Sequence, residues 1–281
     1  MKNLYVLNVN GEKEPFSFRK IYKSAKKSGA SKKTAQKIAS IIEREAFPGI
    51  ETIEIFKRVR ELLSEESSKT AVLKFSLKEA MRKLGPSGFP FEQYIGEIFE
   101  KQGFKIKLNQ IVSGFCCSYE IDFWAEKKNL IYIGECKYRN LSEGKVHSDI
   151  ALSSFARFLD IQKGGFFNKN GFRNFDIKSL IVTNTKFTNK TIKYAKCAGI
   201  ELLGWQYPKK AGLEKIIDSQ KLYPITILPS FKKELLEILV KKRMMLVEDI
   251  FRNDFKKIVQ KNKTTMKNFE QLKREAEILL E

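Results

Sequence analysis

The apolar positions change their period several times along the chain of 281 residues, and each change marks an expected element. Leu4–Val9 alternates as a strand does and Asn10-Gly11 reads as a two-residue turn, so a short hairpin opens the chain. Helical spacing follows from Phe18 to Ser28, where Gly29 ends it. A second helix is expected from Ser31 in SKKTAQKIASIIEREA, with Ile38, Ile41 and Ile42 on one face. Thr52 precedes a third, IEIFKRVRELL, and TAVLKFSLKEAMRKL makes a fourth that stops at Gly85. Gly85-Pro86-Ser87-Gly88 then breaks the pattern and marks a domain boundary.

After the break, FEQYIGEIFEKQGF predicts a helix from Phe89 or Phe91 to Gln102. Tyr119–Glu126 and Leu130–Tyr138 are strand-like around the turn Lys127-Lys128-Asn129, and Val146–Lys163 is helical. A strand (Lys178–Thr183), a helix (Asn189–Ala198, between Thr188 and Gly199) and a strand (Ile200–Trp205) predict a parallel pair with a right-handed crossover. From Tyr207 the chain turns helical and basic, in LPSFKKELLEILVKKRMMLVEDIFRNDFKKIV and NFEQLKREAEILLE. The expected class is α/β. A mostly helical domain with a short β-hairpin covers residues 1–84, a mixed sheet flanked by helices covers 88–206, and a small helical region covers 207–281.

Charge changes the picture. Lys plus Arg number 53 against 33 Asp plus Glu, a formal charge of +20 spread along the whole chain. Such an excess points to phosphate backbones, and double-stranded DNA is the expected partner. No apolar run approaches the roughly 20 residues that cross a bilayer. The start of the chain has no apolar signal region, so no membrane partner and a cytoplasmic location are expected. Four cysteines without a C-x-x-C spacing, with one histidine, argue against a zinc site and for a reduced compartment.

The chemistry gathers in Tyr119-Glu120-Ile121-Asp122-Phe123-Trp124 and in Ile133-Gly134-Glu135-Cys136-Lys137. Residues two apart in a strand share a face. With Lys128-Asn129 as the loop, Asp122 faces Glu135 and Glu120 faces Lys137. Carboxylates side by side among Ile, Phe, Trp and Tyr are costly unless a cation lies between them. Oxygen ligands select a hard ion, Mg²⁺ (or Mn²⁺). The Lys137 ammonium could orient a water or stabilise charge on phosphorus. The alternative is an ordinary cross-strand ion network on a half-exposed sheet.

The stretch from Phe89 to Trp205 resembles the PD-(D/E)XK nuclease superfamily, most closely its Mrr-like restriction endonuclease branch. The order that carries the resemblance is the helix FEQYIGEIFEKQGF, Glu120-Ile121-Asp122, Glu135-Cys136-Lys137, a helix with Arg157 and Asp160, then IVTNTKFT and YAKCAGIELLGW. The resemblance implies a restriction-endonuclease-like fold in which Asp122 and Glu135 hold a divalent metal and Lys137 assists the attacking water. The acid of the first helix corresponds to Glu92, with Glu97 as its competitor. A double-strand cut needs two active sites, so a homodimer or higher oligomer is expected.

Residues 3–84 resemble an ATP-cone, the nucleotide-sensing module of ribonucleotide reductases and their regulators, through VNGEKEPFSFRKI, GIETIEIFKRVRELL and TAVLKFSLKEAMRKL. The resemblance implies ATP or dATP held by Val6, Glu14, Lys20, Ile21, Thr52 and Ile55. A lysine opening a helix suits a phosphate, because free N–H groups and the helix dipole converge there. At the turn this chain has Asn8-Val9-Asn10-Gly11 where cones carry Lys-Arg-Asp-Gly. The segment is therefore either a nucleotide site or a structural or dimerising module.

The C-terminal stretch resembles a degenerate helix-hairpin-helix, with Val240-Lys241-Lys242-Arg243 at its turn. Lys241, Lys242 and Arg243 are the implied DNA contacts, or else a solvated basic face. His147 follows the E-x-K strand and either meets a phosphate or is a solvated residue at a helix start. The expected function is a divalent-metal-dependent DNA endonuclease of restriction or defence type, regulated by nucleotide through the cone. The alternative is a nucleotide-responsive DNA-binding regulator that does not cut.

Overall fold

A computed structural model describes residues 4–140, 144–262 and 266–281. The protein is mixed α/β. It opens with β1 (Tyr5–Leu7), β2 (Lys13–Pro15), α1 (Phe18–Lys27), α2 (Lys32–Glu45), β3 (Ile50–Glu51), α3 (Thr52–Glu66), α4 (Lys69–Phe75) and α5 (Leu77–Arg82). Ser17, Ser31 and Ser68 cap α1, α2 and α4 through their side chains, each satisfying a backbone N–H that the helix itself leaves unpaired. Ile21, Ile38, Ile42, Val59, Leu62 and Leu63 form the core of this part.

Two expectations are corrected here and one strand is added. The hairpin loop is Asn8–Glu12 rather than a two-residue turn. The Asn8 side chain closes the loop by accepting from the N–H groups of Asn10 (2.9 Å) and Glu12 (3.0 Å). The short β3, parallel to β1, has too few residues for a periodic signal. The fourth helix is two helices, parted at Ser76, whose hydroxyl bonds the Val72 carbonyl and so competes with the backbone ladder.

The remaining elements are α6 (Phe89–Lys101), β4 (Lys105–Ser113), β5 (Ser118–Lys127), β6 (Leu130–Lys137), β7 (Lys145–Val146), α7 (Ser148–Lys163), α8 (Phe166–Lys169), β8 (Asp176–Thr183), β9 (Lys186–Phe187), α9 (Asn189–Ala198), β10 (Glu201–Leu203), α10 (Leu213–Ser219), α11 (Leu236–Lys241), α12 (Asn253–Lys261) and α13 (Met266–Leu280). The main sheet has the order β10-β8-β6-β5-β4. Strands β4, β5 and β6 are antiparallel neighbours, whereas β6, β8 and β10 run parallel. Strands β8 and β10, joined through α9, form the expected parallel pair.

Strand β4 was not expected from the sequence, although Ile106 and Leu108 alternate with lysines as an edge strand's residues do. Strands β7 and β9 pair as a separate two-stranded ladder, and β7 takes Val146 out of the expected helix.

The chain groups into two compact units rather than at residues 84 and 206. One contains Met1–Ala80, Thr226–Phe231 and Lys256–Glu281; the other contains Met81–Ile225 and Lys232–Phe255. The region expected as a separate 207–281 is thus divided. Within the first unit, Thr70 donates to the Ile278 carbonyl and Ser230 to Glu275, which fasten α13. Within the second, the backbone N–H of Met245 donates to Glu97 on α6. No helix among the described residues is long and apolar enough to cross a membrane.

Candidate functional site

The second unit brings the acids and the lysine together at one end of the β5–β6 hairpin. Its two-residue loop is Lys128-Asn129, and the ladder runs in the expected register from Lys127↔Leu130 to Phe123↔Gly134. There it stops. Asp122 Oδ2 accepts the backbone N–H of Cys136 at 2.6 Å, so a side chain takes a bond that a strand neighbour would otherwise make. The pairing therefore does not continue to Glu120 and Lys137. Glu120 is exposed, and the Lys137 ammonium turns to Glu135 instead.

On the other side of β5 the ladder also skips one position, between Leu108↔Phe123 and Gln110↔Ile121. The residue left out opposite Asp122 is Asn109, held at φ 52, a left-handed conformation that asparagine tolerates better than most side chains. Asp122 thus sits where both ladders open. The sequence gives one signal for this, the Asn in the middle of β4.

Glu135 is buried, with its side chain 8% exposed, and both of its oxygens are engaged. Lys137 Nζ lies 2.6 Å from Oε1, and Arg157 Nη1 of α7 lies 2.6 Å from Oε2. Alternation sends Glu135 and Lys137 to the same face as Ile131 and Ile133, which pack against Phe158 and Ile161 of α7. That packing is what aims Arg157 at the carboxylate. Arg157 was noted in the sequence only as part of the motif order; its contact with Glu135 needs the helix placed on the sheet. On the opposite face, a Cβ on Gly134 would stand 2.1 Å from the Phe123 ring, so the glycine of Gly134-Glu135-Cys136-Lys137 is required by the ring stacked on it.

Burial, and then the charges of Asp122, Glu120 and Glu135, push the Glu92 carboxyl up to about 7. Burial, followed by the Glu135 charge, pushes Asp122 up to about 6, against the lowering effect of the Cys136 N–H, Lys137 and Arg157. Glu92 of α6 therefore joins the acidic group. Its competitor Glu97 does not, since it accepts the Met245 N–H at 3.0 Å, and burial raises it to about 8. The buried Cys136 thiol is pushed well above its ordinary value by desolvation, which makes it unreactive. Asp160 holds the β4–β5 turn through the Cys116 N–H and the Tyr119 hydroxyl. His147 is exposed at the start of α7 and makes no side-chain cap.

Three carboxylates thus face two cations, and two of the acids are raised. Asp122 and Glu135 are the residues that could hold a hard divalent cation there, although both Glu135 oxygens already pair with Lys137 and Arg157. Among the described residues no three His, Cys, Asp or Glu side chains form a ready cluster.

In the first unit all six residues of the nucleotide expectation line one cavity of about 220 Å³: Val6, Glu14, Lys20, Ile21, Thr52 and Ile55. Phe56 and Phe75 of the same lining stack with centroids 4.8 Å apart. Lys20 pairs with Glu14 at 3.0 Å. The turn residue Asn8 is consumed by the loop, its amide also donating to Glu12 at 2.8 Å. The basic residues at the end of α11 and just after it, Lys241, Lys242 and Arg243, are all exposed, and Arg243 has φ 54 and pairs with Glu100.

The fold and site define a mixed α/β protein with an acid–lysine cluster at the open end of a strand pair. A family model described as AF1548-like, C-terminal, matches residues 223–280. An uncharacterized protein of Archaeoglobus fulgidus is 40% identical over 158 residues, 56% of this chain and 83% of that relative. A crystal structure of a protein of unknown function, AF1548, matches with a TM-score of 0.56 at 35% identity, over 66% of this chain and 95% of that one. The chain belongs to the AF1548-like family.

Proposed function

We propose that the protein is a divalent-metal-dependent DNA endonuclease of the PD-(D/E)XK, Mrr-like kind, acting in restriction or defence, with an ATP-cone-like unit through which nucleotide regulates it. The observation that carries this reading is the convergence of Asp122, Glu135 and Lys137, with Glu92 beside them, where the β5 ladders open. A bound divalent ion would supply Lewis-acid stabilisation of charge on a phosphodiester. Asp122 and Glu135 would hold that ion. Lys137 orients the attacking water and faces the charge that develops on phosphorus. Glu92, with its raised carboxyl, is suited to exchanging a proton near neutral pH. Arg157 fixes Glu135.

A second reading, a DNA-binding regulator that does not cut, is favoured by one feature: both Glu135 oxygens are already taken by cations. Plasmid cleavage separates the two. Purified protein is tested with Mg²⁺ or Mn²⁺, with and without ATP, on modified and unmodified plasmids, beside Asp122→Ala and Lys137→Ala. Metal-dependent cutting that both substitutions abolish is expected, with an ATP effect assigning the cavity lined by Lys20. Binding without cutting in every condition moves the regulator reading ahead.

A further inference from the structure

The ladder of β7 and β9 places Lys145 and Lys186 as direct partners. Their neighbours Val146 and Phe187 are buried, so strand alternation sends both lysines to the solvent face side by side, and both are exposed. Like charges directly across a ladder repel and cost stability. Among the described residues no ion pair offsets either of them. The charge continues into the next helix. From residue 184 to residue 200 the chain has Lys186, Lys190, Lys193 and Lys196 and no acid. In sequence the acids beside the two strands are Glu143, two residues before Lys145, and Asp149, in the first turn of α7; after α9 comes Glu201, which binds Tyr132 and Lys178.

The platform is fixed. The Thr188 N–H and the Thr191 hydroxyl both donate to the Val146 carbonyl, at 3.1 and 2.9 Å. Thr185 donates to the Gly144 carbonyl, and Val146 and Phe187 share a core with Ile181 and Ala195. It also lies close to the acid–lysine site. Thr183 is the ladder partner of Lys137, and Lys186 follows three residues later. At about 3.5 Å per residue and 4.8 Å between strands, the two lysine Cα atoms are within about 15 Å.

We infer that Lys145 and Lys186, extended by Lys190 and Lys193 of α9, form a track for the phosphate backbone of double-stranded DNA beside Lys137. The inference rests on the nuclease reading for its substrate, and on the lysine ladder for its place. It differs from the expected contacts at Lys241, Lys242 and Arg243, the last of which is ion-paired.

The test is binding of a fluorescent duplex by the full chain in EDTA, where no metal-dependent step enters, across a series of salt concentrations. Losing two phosphate contacts lowers the salt slope by about two, or roughly 60-fold in affinity at 0.1 M salt. That result is expected for Lys145→Ala/Lys186→Ala. Lys145→Arg/Lys186→Arg retains the wild-type slope, and so does Lys32→Ala/Lys33→Ala, which removes equal charge from the other unit. An unchanged slope in the first variant, an equal drop in the third, or no duplex binding by the wild type overturns the track. Failure of the nuclease reading looks different: the slopes change as expected while no plasmid is cut.

Discussion

Asp122→Asn is expected to make the second unit more stable at pH 8 and, on the proposed nuclease reading, to abolish cleavage. Burial and the Glu135 charge raise the Asp122 carboxyl from 3.8 to about 6. Each unit of such a shift corresponds to about 1.4 kcal/mol, so the ionised carboxylate costs the folded protein roughly 3 kcal/mol. The folded state keeps its proton where the unfolded chain has lost it. Stability therefore falls as the pH rises from 3.8 to about 6, and stays at the lower level above that.

Asparagine keeps an oxygen for the Cys136 N–H and carries no charge. The raised carboxyl already includes the favourable Cys136 N–H bond to the charged form, so the expected gain stays at roughly 3 kcal/mol. Urea unfolding in EDTA at pH 4 and pH 8 measures it. The two tryptophans, Trp124 and Trp205, are both buried and both in the second unit, so their fluorescence follows that unit alone. The variants should converge near pH 4. Mg²⁺ at ten times its dissociation constant should restore about 1.4 kcal/mol to the wild type and nothing to Asp122→Asn. A variant less stable than wild type at pH 8 would refute the argument, since Asp122 would then be a stabilising member of an ion network.

Four other outcomes follow from the same geometry. Glu97, raised by burial from 4.5 to about 8, makes stability fall between those pH values by up to about 5 kcal/mol. Glu97→Gln should flatten that slope in tryptophan-monitored urea titrations. Gly134→Ala forces a methyl group onto the Phe123 ring and should cost about 1–3 kcal/mol, read as a lower urea midpoint. Arg157→Ala leaves the buried Glu135 with Lys137 alone and should cost about 1–3 kcal/mol at neutral pH; an unchanged midpoint would deny Arg157 its role. Calorimetric titration with ATP should give weaker binding for Lys20→Ala and tighter binding for Glu14→Gln, which frees the Lys20 ammonium and removes a repelling charge. No heat with the wild type would leave the cavity without its proposed ligand.

Much of the site was legible because strand chemistry is local. The register of β5 against β6 follows from one loop, and the shared face of Glu135 and Lys137 follows from alternation alone. The resemblance favoured Glu92 over Glu97, but helical spacing alone did not separate them. Five residues apart on α6, each looks equally able to reach the sheet. Only the segment at Met245, distant in sequence, shows that Glu97 is spent on a backbone N–H. The same holds for Arg157, whose aim depends on how α7 packs. The division of the C-terminal stretch between two units depends on contacts such as Ser230 with Glu275, which no periodicity reveals.

The Asn8 position shows how a residue can be read correctly by comparison and still be misjudged in its work. Against the cone pattern it is a missing cation. In the structure it is the organiser of a five-residue loop, binding the N–H groups of Asn10 and Glu12 and the Glu12 carboxylate. A lysine there could not accept those N–H bonds. Asp122 follows the same logic in reverse: its carboxylate takes one backbone N–H and thereby ends a ladder. In the first case a neutral side chain completes backbone pairing and supplies no cation. In the second it interrupts pairing and leaves raised acids near a lysine. A site for a charged ligand requires that residual charge, which is why the argument for chemistry rests on Asp122 and its neighbours, while the hairpin at Asn8 supports only the shape of a cavity.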